Sequence, residues 1–379
     1  MFAYQKTNRY FAQLADSLES IGAEELTELG ATDPKPVYRG VYFNADPATL
    51  YRIVYQTRLA TRILAQLLRF DCHSTKYLYK TARKIDWNAL FTRETTFAVD
   101  AITTNSSIRH SQYAALCLKD AIVDHFRDAT GWRPNVDTDQ PDLLLNLHID
   151  RNKAAISIDT SGGSLHRRGY RQESVAAPMQ ETLAAAIIHL TGWHGERPLI
   201  DPMCGSGTLL AEALMHVTHT PAGFLRQRFG LTALPDYDQG LWNRTRTEAD
   251  ARITAPPAGL ISGSDAAREA VRAAAANLQL LPGGNAVRLT TKRFQTLPAI
   301  TDSVIVCNPP YGIRLERGRD MTSFMRETGD FLKKNCTGST AFLYLGDRAL
   351  AKSVGLKPSR KIPLKNGGLD GLLLEYRLY

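Results

Sequence analysis

The stretch Ser303-Val304-Ile305-Val306-Cys307-Asn308-Pro309-Pro310-Tyr311 carries more information than any other in this 379-residue chain. Its first five residues are mostly apolar and rich in β-branched side chains, as in a strand buried on both faces of a parallel sheet. A rigid turn follows. Two consecutive prolines fix φ and lack N–H groups, so the turn presents its carbonyls as acceptors. The Asn308 side chain adds another acceptor, and Tyr311 adds a flat ring. Such a turn stands at the carboxyl edge of an open α/β sheet, where these folds hold ligands. Two acceptors beside a ring suit an exocyclic NH2 group on a planar base. A strand followed by a chemically idle Pro-rich loop is the plainer alternative, and the motif alone does not separate the two.

A second stretch upstream shifts the balance. Leu199-Ile200-Asp201-Pro202-Met203-Cys204-Gly205-Ser206-Gly207-Thr208 reads as a strand entering a Gly-rich turn that opens a helix. Glycines let a backbone approach a ligand closely, and a helix N-terminus favours negative charge. Leu210 stands where a dinucleotide fingerprint has its third glycine, and the lysine of a P-loop is missing. Asp201 would repel a pyrophosphate but attract an ammonium. A zwitterion fits, which points to the methionine part of S-adenosylmethionine. Asp265, with Ala266 after it, closes the next strand, where an acid reaches ribose hydroxyls; the plain role for Asp265 is a helix cap. Cys204 is expected to be a small residue required by a tight turn rather than a nucleophile.

From Met179 onward helices and strands alternate, which predicts a doubly wound parallel sheet. The strands are expected at 198–201, 258–265, 287–289, 303–307 and 340–345, with a closing strand at 372–378. The stretch 218–257, with Pro221, Trp242 and Pro256-Pro257, fits that alternation poorly and reads as an insertion. In front of it lie two α+β units. Residues 9–30 have helical spacing through Phe11, Leu14, Leu18 and Ile21, with Gly30 as the stop. Two short strands flank Arg39-Gly40, and Asp46-Pro47 opens a helix. Farther on, 95–102 alternates as a strand, Ser111–Thr130 is a helix ending at Gly131, and 143–149 with 153–159 form a hairpin.

Composition bounds the rest. Hydrophobic residues make up 44% and charged residues 22% of the chain, ordinary for a globular protein. No apolar run approaches the ~20 residues of a membrane span, and the first residues lack a signal-peptide core. A cytoplasmic protein is therefore expected. Five scattered cysteines without a C-x-x-C pair argue against zinc and disulfides, so no metal is expected. Net charge is +8, and residues 1–165 hold 19 basic and 19 acidic side chains, so all of the excess lies in the second half. That weakly favours a polyanionic substrate. Leu165-His166-Arg167-Arg168-Gly169-Tyr170-Arg171 reads either as a solvated linker or as a phosphate contact.

Asp201-Pro202-x-Cys204-Gly205-Ser206-Gly207-Thr208, followed by Asn308-Pro309-Pro310-Tyr311, resembles class I methyltransferases acting on exocyclic amines of bases. The basic linker, Ala177-Pro178, Glu181-Thr182-Leu183-Ala184-Ala185, Trp87, Lys119-Asp120-Ala121, Gly131-Trp132-Arg133-Pro134 and Lys365-Asn366-Gly367-Gly368 narrow this. Together they resemble the THUMP-domain RNA methyltransferases, of the bacterial large-subunit ribosomal RNA guanine-N2 type. The resemblance implies a ferredoxin-like unit at 1–58, a THUMP unit at 59–160, a basic linker at 161–178 and a Rossmann-like methyltransferase domain at 179–379.

It further implies S-adenosylmethionine as cofactor, held by residues 201–208 with Asp265, Ala266, Phe294 and Asn308. Asn308, Pro309, Pro310 and Tyr311 would hold the target base. Lys119, Arg133, Arg167, Arg168 and Arg171 would contact RNA, with Lys76, Lys80 and Arg83 as further candidates. The substrate would be 23S ribosomal RNA, free or in an assembling particle, and the protein a monomer. Arg293 stands where the family places an acid for the adenine amine, which leaves Phe294 and backbone groups for that task. Methylation of adenine N6, and a non-catalytic RNA-binding factor on the same fold, remain open alternatives at this point.

Overall fold

The computed structural model describes residues 1–173, 179–310, 320–366 and 369–379. Ala177, Pro178, Tyr311, Gly367 and Gly368 therefore lie outside the described residues. The elements run in the order α1 (Ala3–Thr7), β1 (Arg9–Gln13), α2 (Glu19–Glu28), β2 (Thr32–Val37), β3 (Gly40–Asn44), α3 (Pro47–Gln56), β4 (Arg62–Asp71), α4 (Thr75–Ala82), β5 (Thr96–Thr104), α5 (Ser111–Thr130), β6 (Asn135–Val136), β7 (Leu143–Asp150) and β8 (Lys153–Asp159). The second half continues with α6 (Glu181–Thr191), β9 (Leu199–Asp201), α7 (Thr208–Val217), α8 (Gln239–Asp250), β10 (Ile261–Asp265), α9 (Arg268–Leu278), β11 (Arg288–Thr291), β12 (Val304–Cys307), α10 (Met321–Asn335), β13 (Thr340–Leu345), β14 (Arg360–Asn366) and β15 (Leu369–Arg377).

Among the described residues the strands form two sheets. The first has the order β2-β3-β1-β4-β8-β7-β5-β6. Strand β4 pairs antiparallel with both β1 and β8, so the two front units share one continuous sheet. Local chemistry sets the punctuation. Asp46 caps α3 by accepting from the Thr49 N–H at 2.7 Å, with Pro47 in the first turn. Gly131 ends α5 at φ +70°. Arg151 and Asn152, both at positive φ, make the tight turn between β7 and β8.

One expected helix is corrected. Residues 9–13 are strand β1, not the first turns of a helix over 9–30; the helix is confined to Glu19–Glu28. Tyr10 and Ala12 point into the core, while Phe11 lies on the other face with its ring 4.9 Å from that of Tyr42. Apolar residues on both faces of a short strand produced spacing that merged with the helical pattern after it.

The second sheet has the order β11-β10-β9-β12-β13-β15-β14. Strands β9 to β13 run parallel to their neighbours, and β15 enters antiparallel to β13. The chain builds outward from β9 through β10 to β11, then crosses to β12 and β13 on the other side. The crossing makes the β9/β12 boundary a topological switch point, the place where open α/β sheets bind ligands. Register brings the strand ends out together: Gly263 lies opposite Asp201, and Ile305 opposite Ile200. Val304 to Cys307 are all buried, as a strand covered on both faces requires.

Residues 218–257 join the two halves. Trp242 on α8 stands edge-on to Tyr51 and Tyr55 of α3, with ring centroids at 6.0 and 5.7 Å, and 5.0 Å from Phe229. Tyr4 donates to Asp236 and Tyr55 to Asp250, at 2.6 and 2.8 Å. Arg228 reaches Gln140 and the Pro141 carbonyl. The stretch that fits the strand–helix alternation poorly is the clasp that docks the front units. Among the described residues no helix is long and apolar enough to cross a membrane.

Candidate active site

The turn after β9 is built from its own backbone upward. Gly205 and Gly207 have φ of +54° and +81°, conformations that L side chains rarely adopt. A Cβ on Gly207 would lie 3.0 Å from that of Ala274 on α9, so the small residue also lets the helix approach. The Gly207 N–H donates to the Cys204 carbonyl at 2.8 Å, and the Cys204 N–H to the Ser264 carbonyl at 2.9 Å. Cys204 is buried, and its β-carbon and sulfur would crowd any side chain at Gly263. Burial pushes its thiol well above the ordinary range, which suits a packing role and not a nucleophile.

Asp201 is 1% exposed. Its Oδ1 accepts from the Met203 N–H at 3.0 Å, and the thiol of Cys307, at the end of β12, donates to its carboxylate. Burial, with the nearby Asp265 carboxylate, pushes its pKa up to about 8; the two hydrogen bonds offset this in part. Asp265 is half-buried. Its Oδ2 accepts from the Gly205 N–H at 3.0 Å and its Oδ1 from the Ala267 N–H at 2.9 Å. The second bond braces the approach to α9, whose N-cap is Ala267, and two of the roughly four acceptor sites of the carboxylate are used.

Asn308 follows Cys307 on the same sheet edge. It is half-buried, and its Oδ1 is a buried acceptor without a hydrogen-bond partner among the described residues. An orphaned buried acceptor is costly, and at the carboxyl end of a strand at the switch point it is chemically informative. Pro309 is buried and Pro310 half-buried. The aspartate turn and the proline turn thus leave adjacent strands on the same side of the sheet, joined by the Asp201–Cys307 hydrogen bond.

The cofactor expectation is tested by these residues. A buried carboxylate held near neutrality, two positive-φ glycines opening α7, and a half-used acid at the next strand end fit a ligand carrying an ammonium, a carboxylate and a ribose. Thr208 starts α7, with Ser206 buried and Met203 half-buried in the turn before it, Pro202 buried at the strand end, and Ala266 exposed beyond Asp265. Phe294 is a correction. It is 4% exposed, edge-on to Phe324 and Phe331 at 5.6 and 5.5 Å, and belongs to the core under α10. It offers no open face for adenine. Arg293 is exposed.

The linker also needs correction. Arg168 is 1% exposed. Its guanidinium donates to the carbonyls of Leu165 and Arg58 and reaches Glu212 on α7 at 3.4 Å. Glu212 is fully buried and also takes Arg58 at 3.0 Å and the Tyr170 hydroxyl at 3.2 Å. Arg171 turns inward to the Met179 carbonyl, the Thr208 hydroxyl at 3.1 Å and Glu181 at 3.3 Å. Arg168 is too buried to meet RNA, and Arg171, 19% exposed, spends its guanidinium on these inward partners. Arg167 and Arg133 are exposed, and Lys119 is half-exposed beside Asp120. Sequence reasoning also passed over Asn277, Glu212 and Cys307. Asn277 was visible only as a polar residue near the end of an Ala-rich helix.

Three family descriptions match successive parts of the chain: an RlmL ferredoxin-like domain over residues 9–64, a THUMP domain over 72–159, and an RMKL-like methyltransferase domain over 168–375. The last covers more than half of the chain. The chain belongs to the RMKL-like methyltransferases. A relative from Synechocystis, named provisionally as an RNA methyltransferase, is 40% identical over 379 residues, 100% of this chain and 99% of its own. The ribosomal RNA large subunit methyltransferase K/L of Photobacterium profundum is 37% identical over 97% of this chain but 53% of its own, so the chain spans about half of that relative. The solved structure of SMU.472, named provisionally as a methyltransferase and complexed with SAH, superposes with a TM-score of 0.87 at 28% identity, covering 98% of each chain. The RMKL-like chain is accordingly an S-adenosylmethionine-dependent methyltransferase. Among its described residues no group of three or more His, Cys, Asp or Glu side chains could hold a metal ion.

Proposed function

We propose that the protein methylates the exocyclic N2 amine of a guanosine in 23S ribosomal RNA. The observation that carries this reading is the orphaned Asn308 Oδ1 at a strand end adjacent to the buried Asp201 turn. Bound S-adenosylmethionine supplies the activated methyl group. Asp201 holds the ammonium, Asp265 the ribose, and the N-terminus of α7, which opens at Thr208, the carboxylate. Asn308 Oδ1 accepts one amine hydrogen and the Pro309 carbonyl the other, which turns the nitrogen lone pair toward the neighbouring turn. Positioning of this kind can contribute about 7–11 kcal/mol of a barrier.

The base leaves its helix to reach the pocket, at a cost of roughly a few kcal/mol. The THUMP and ferredoxin-like parts, held by the 218–257 clasp, select the RNA by shape. The named activity of the K/L relatives and the RNA methyltransferase name of the Synechocystis relative support RNA as substrate.

The test is Asn308→Ala and Asn308→Asp, assayed for methyl transfer to unmodified ribosomal RNA with cofactor binding measured alongside. Loss of transfer with cofactor binding retained is expected. Transfer at the wild-type rate in both variants would remove the amine site.

A further inference from the structure

Asn277 stands at the end of α9, 1% exposed. Its Oδ1 accepts from the Gln172 and Glu173 N–H groups at 2.9 and 3.1 Å. Its Nδ2 donates to the Glu173 carbonyl at 2.9 Å and to the Ser206 carbonyl at 3.0 Å. All four hydrogen-bonding positions of the amide are used. One buried side chain thus joins residues 172–173 of the linker, α9 and the middle of the glycine turn.

Ser206 lies between two glycines at positive φ. Glycine loses more conformational freedom on ordering than any other residue, so such a turn is held in shape from outside. Three neighbours do so in succession: Asp265 binds the Gly205 N–H, Asn277 the Ser206 carbonyl, and Arg171 the Thr208 hydroxyl. Two of the three are tied to the linker, Arg171 because it belongs to it and Asn277 through Gln172 and Glu173.

We propose that Asn277 is a positioning residue that sets the shape of the cofactor turn by splinting it to the linker. The inference rests on the reading of residues 201–208 as the cofactor's seat. The splint keeps the Ser206 peptide from rotating, so the N–H groups that open α7 stay aimed at the ligand's carboxylate.

The test compares Asn277→Ser, Asn277→Asp, Asp201→Asn and Leu278→Ala in the full chain. Leu278 is buried on the same helix without a polar contact to the turn, so Leu278→Ala reports what lost stability alone does. The expected result is that Asn277→Ser and Asn277→Asp weaken S-adenosylmethionine binding at least about tenfold by calorimetry. The cofactor KM should rise in step while kcat at saturating cofactor stays near wild type. Amide exchange over residues 204–208 should quicken, and Leu278→Ala should lower the melting temperature without either effect. If Asn277→Asp does not fold, Asn277→Ser decides. Wild-type cofactor affinity in folded Asn277→Ser, with Asp201→Asn impaired, would overturn the splint and leave the seat standing. Equal losses in Asn277→Ser and Leu278→Ala at matched stability would also overturn it. Wild-type affinity in Asp201→Asn would instead remove the seat itself.

Discussion

Asp201 combines burial, a neighbouring acid and a pKa raised to about 8. Below that pH the free protein carries a proton on Asp201, whereas the ammonium that the proposed reading places there would select the ionised form. Binding must then release a proton, and affinity must rise with pH up to about 8. Each pH unit below that point costs about 1.4 kcal/mol, or tenfold in affinity. Calorimetry in buffers of different ionisation enthalpy checks this: close to one proton should leave at pH 6.5, and Asp201→Asn should abolish both the release and the pH dependence. Cys307 contributes here as a thiol donor to the same carboxylate, so Cys307→Ala should push the Asp201 pKa higher and move the affinity profile toward alkaline pH. Asp201 and Asn308 were legible because a motif of special residue types surrounds each. Cys307 was not, since a cysteine in a buried apolar strand looks like any other small core residue.

At the scale of elements, the linker changes meaning most. Arginines between two units read as solvated or phosphate-binding, because sequence does not reveal a buried acid elsewhere in the chain. Glu212 is that acid, and the Arg58–Glu212–Arg168 cluster ties the loop after α3 to the helix that opens at the glycine turn. The two readings of Arg168 differ in a measurable way. Arg168→Ala should cost about 3–5 kcal/mol, because it breaks a buried ion pair, and should lower the melting temperature by several degrees. The salt dependence of RNA binding should keep its slope, whereas loss of a phosphate contact would reduce it by about one. The parallel strands of the second sheet and its closing strand β15 were legible because Gly, Pro and Asn punctuate short apolar runs, whereas β14, polar and basic along Arg360–Asn366, was not foreseen. Strand β1 was not, because Phe11 on its outer face gave 9–30 a helical period.

For the whole molecule, the clasp formed by 218–257 holds the front units against the second half of the chain. Its apolar residues looked out of place because Trp242 finds its partners, Tyr51 and Tyr55, far upstream in the chain. Trp242→Ala should cost about 3–5 kcal/mol. It should leave cofactor affinity near wild type while slowing transfer to ribosomal RNA, as paired calorimetry and rate measurements would show. The central claim is that one sheet edge seats a methyl donor and, on the adjacent strand, grips a guanine amine. The most direct measurement is nucleoside analysis of unmodified large-subunit ribosomal RNA after incubation with the protein and methyl-labelled S-adenosylmethionine. Label in N2-methylguanosine, lost in Asn308→Ala, is the predicted result; label in N6-methyladenosine, or none in RNA, would contradict the account.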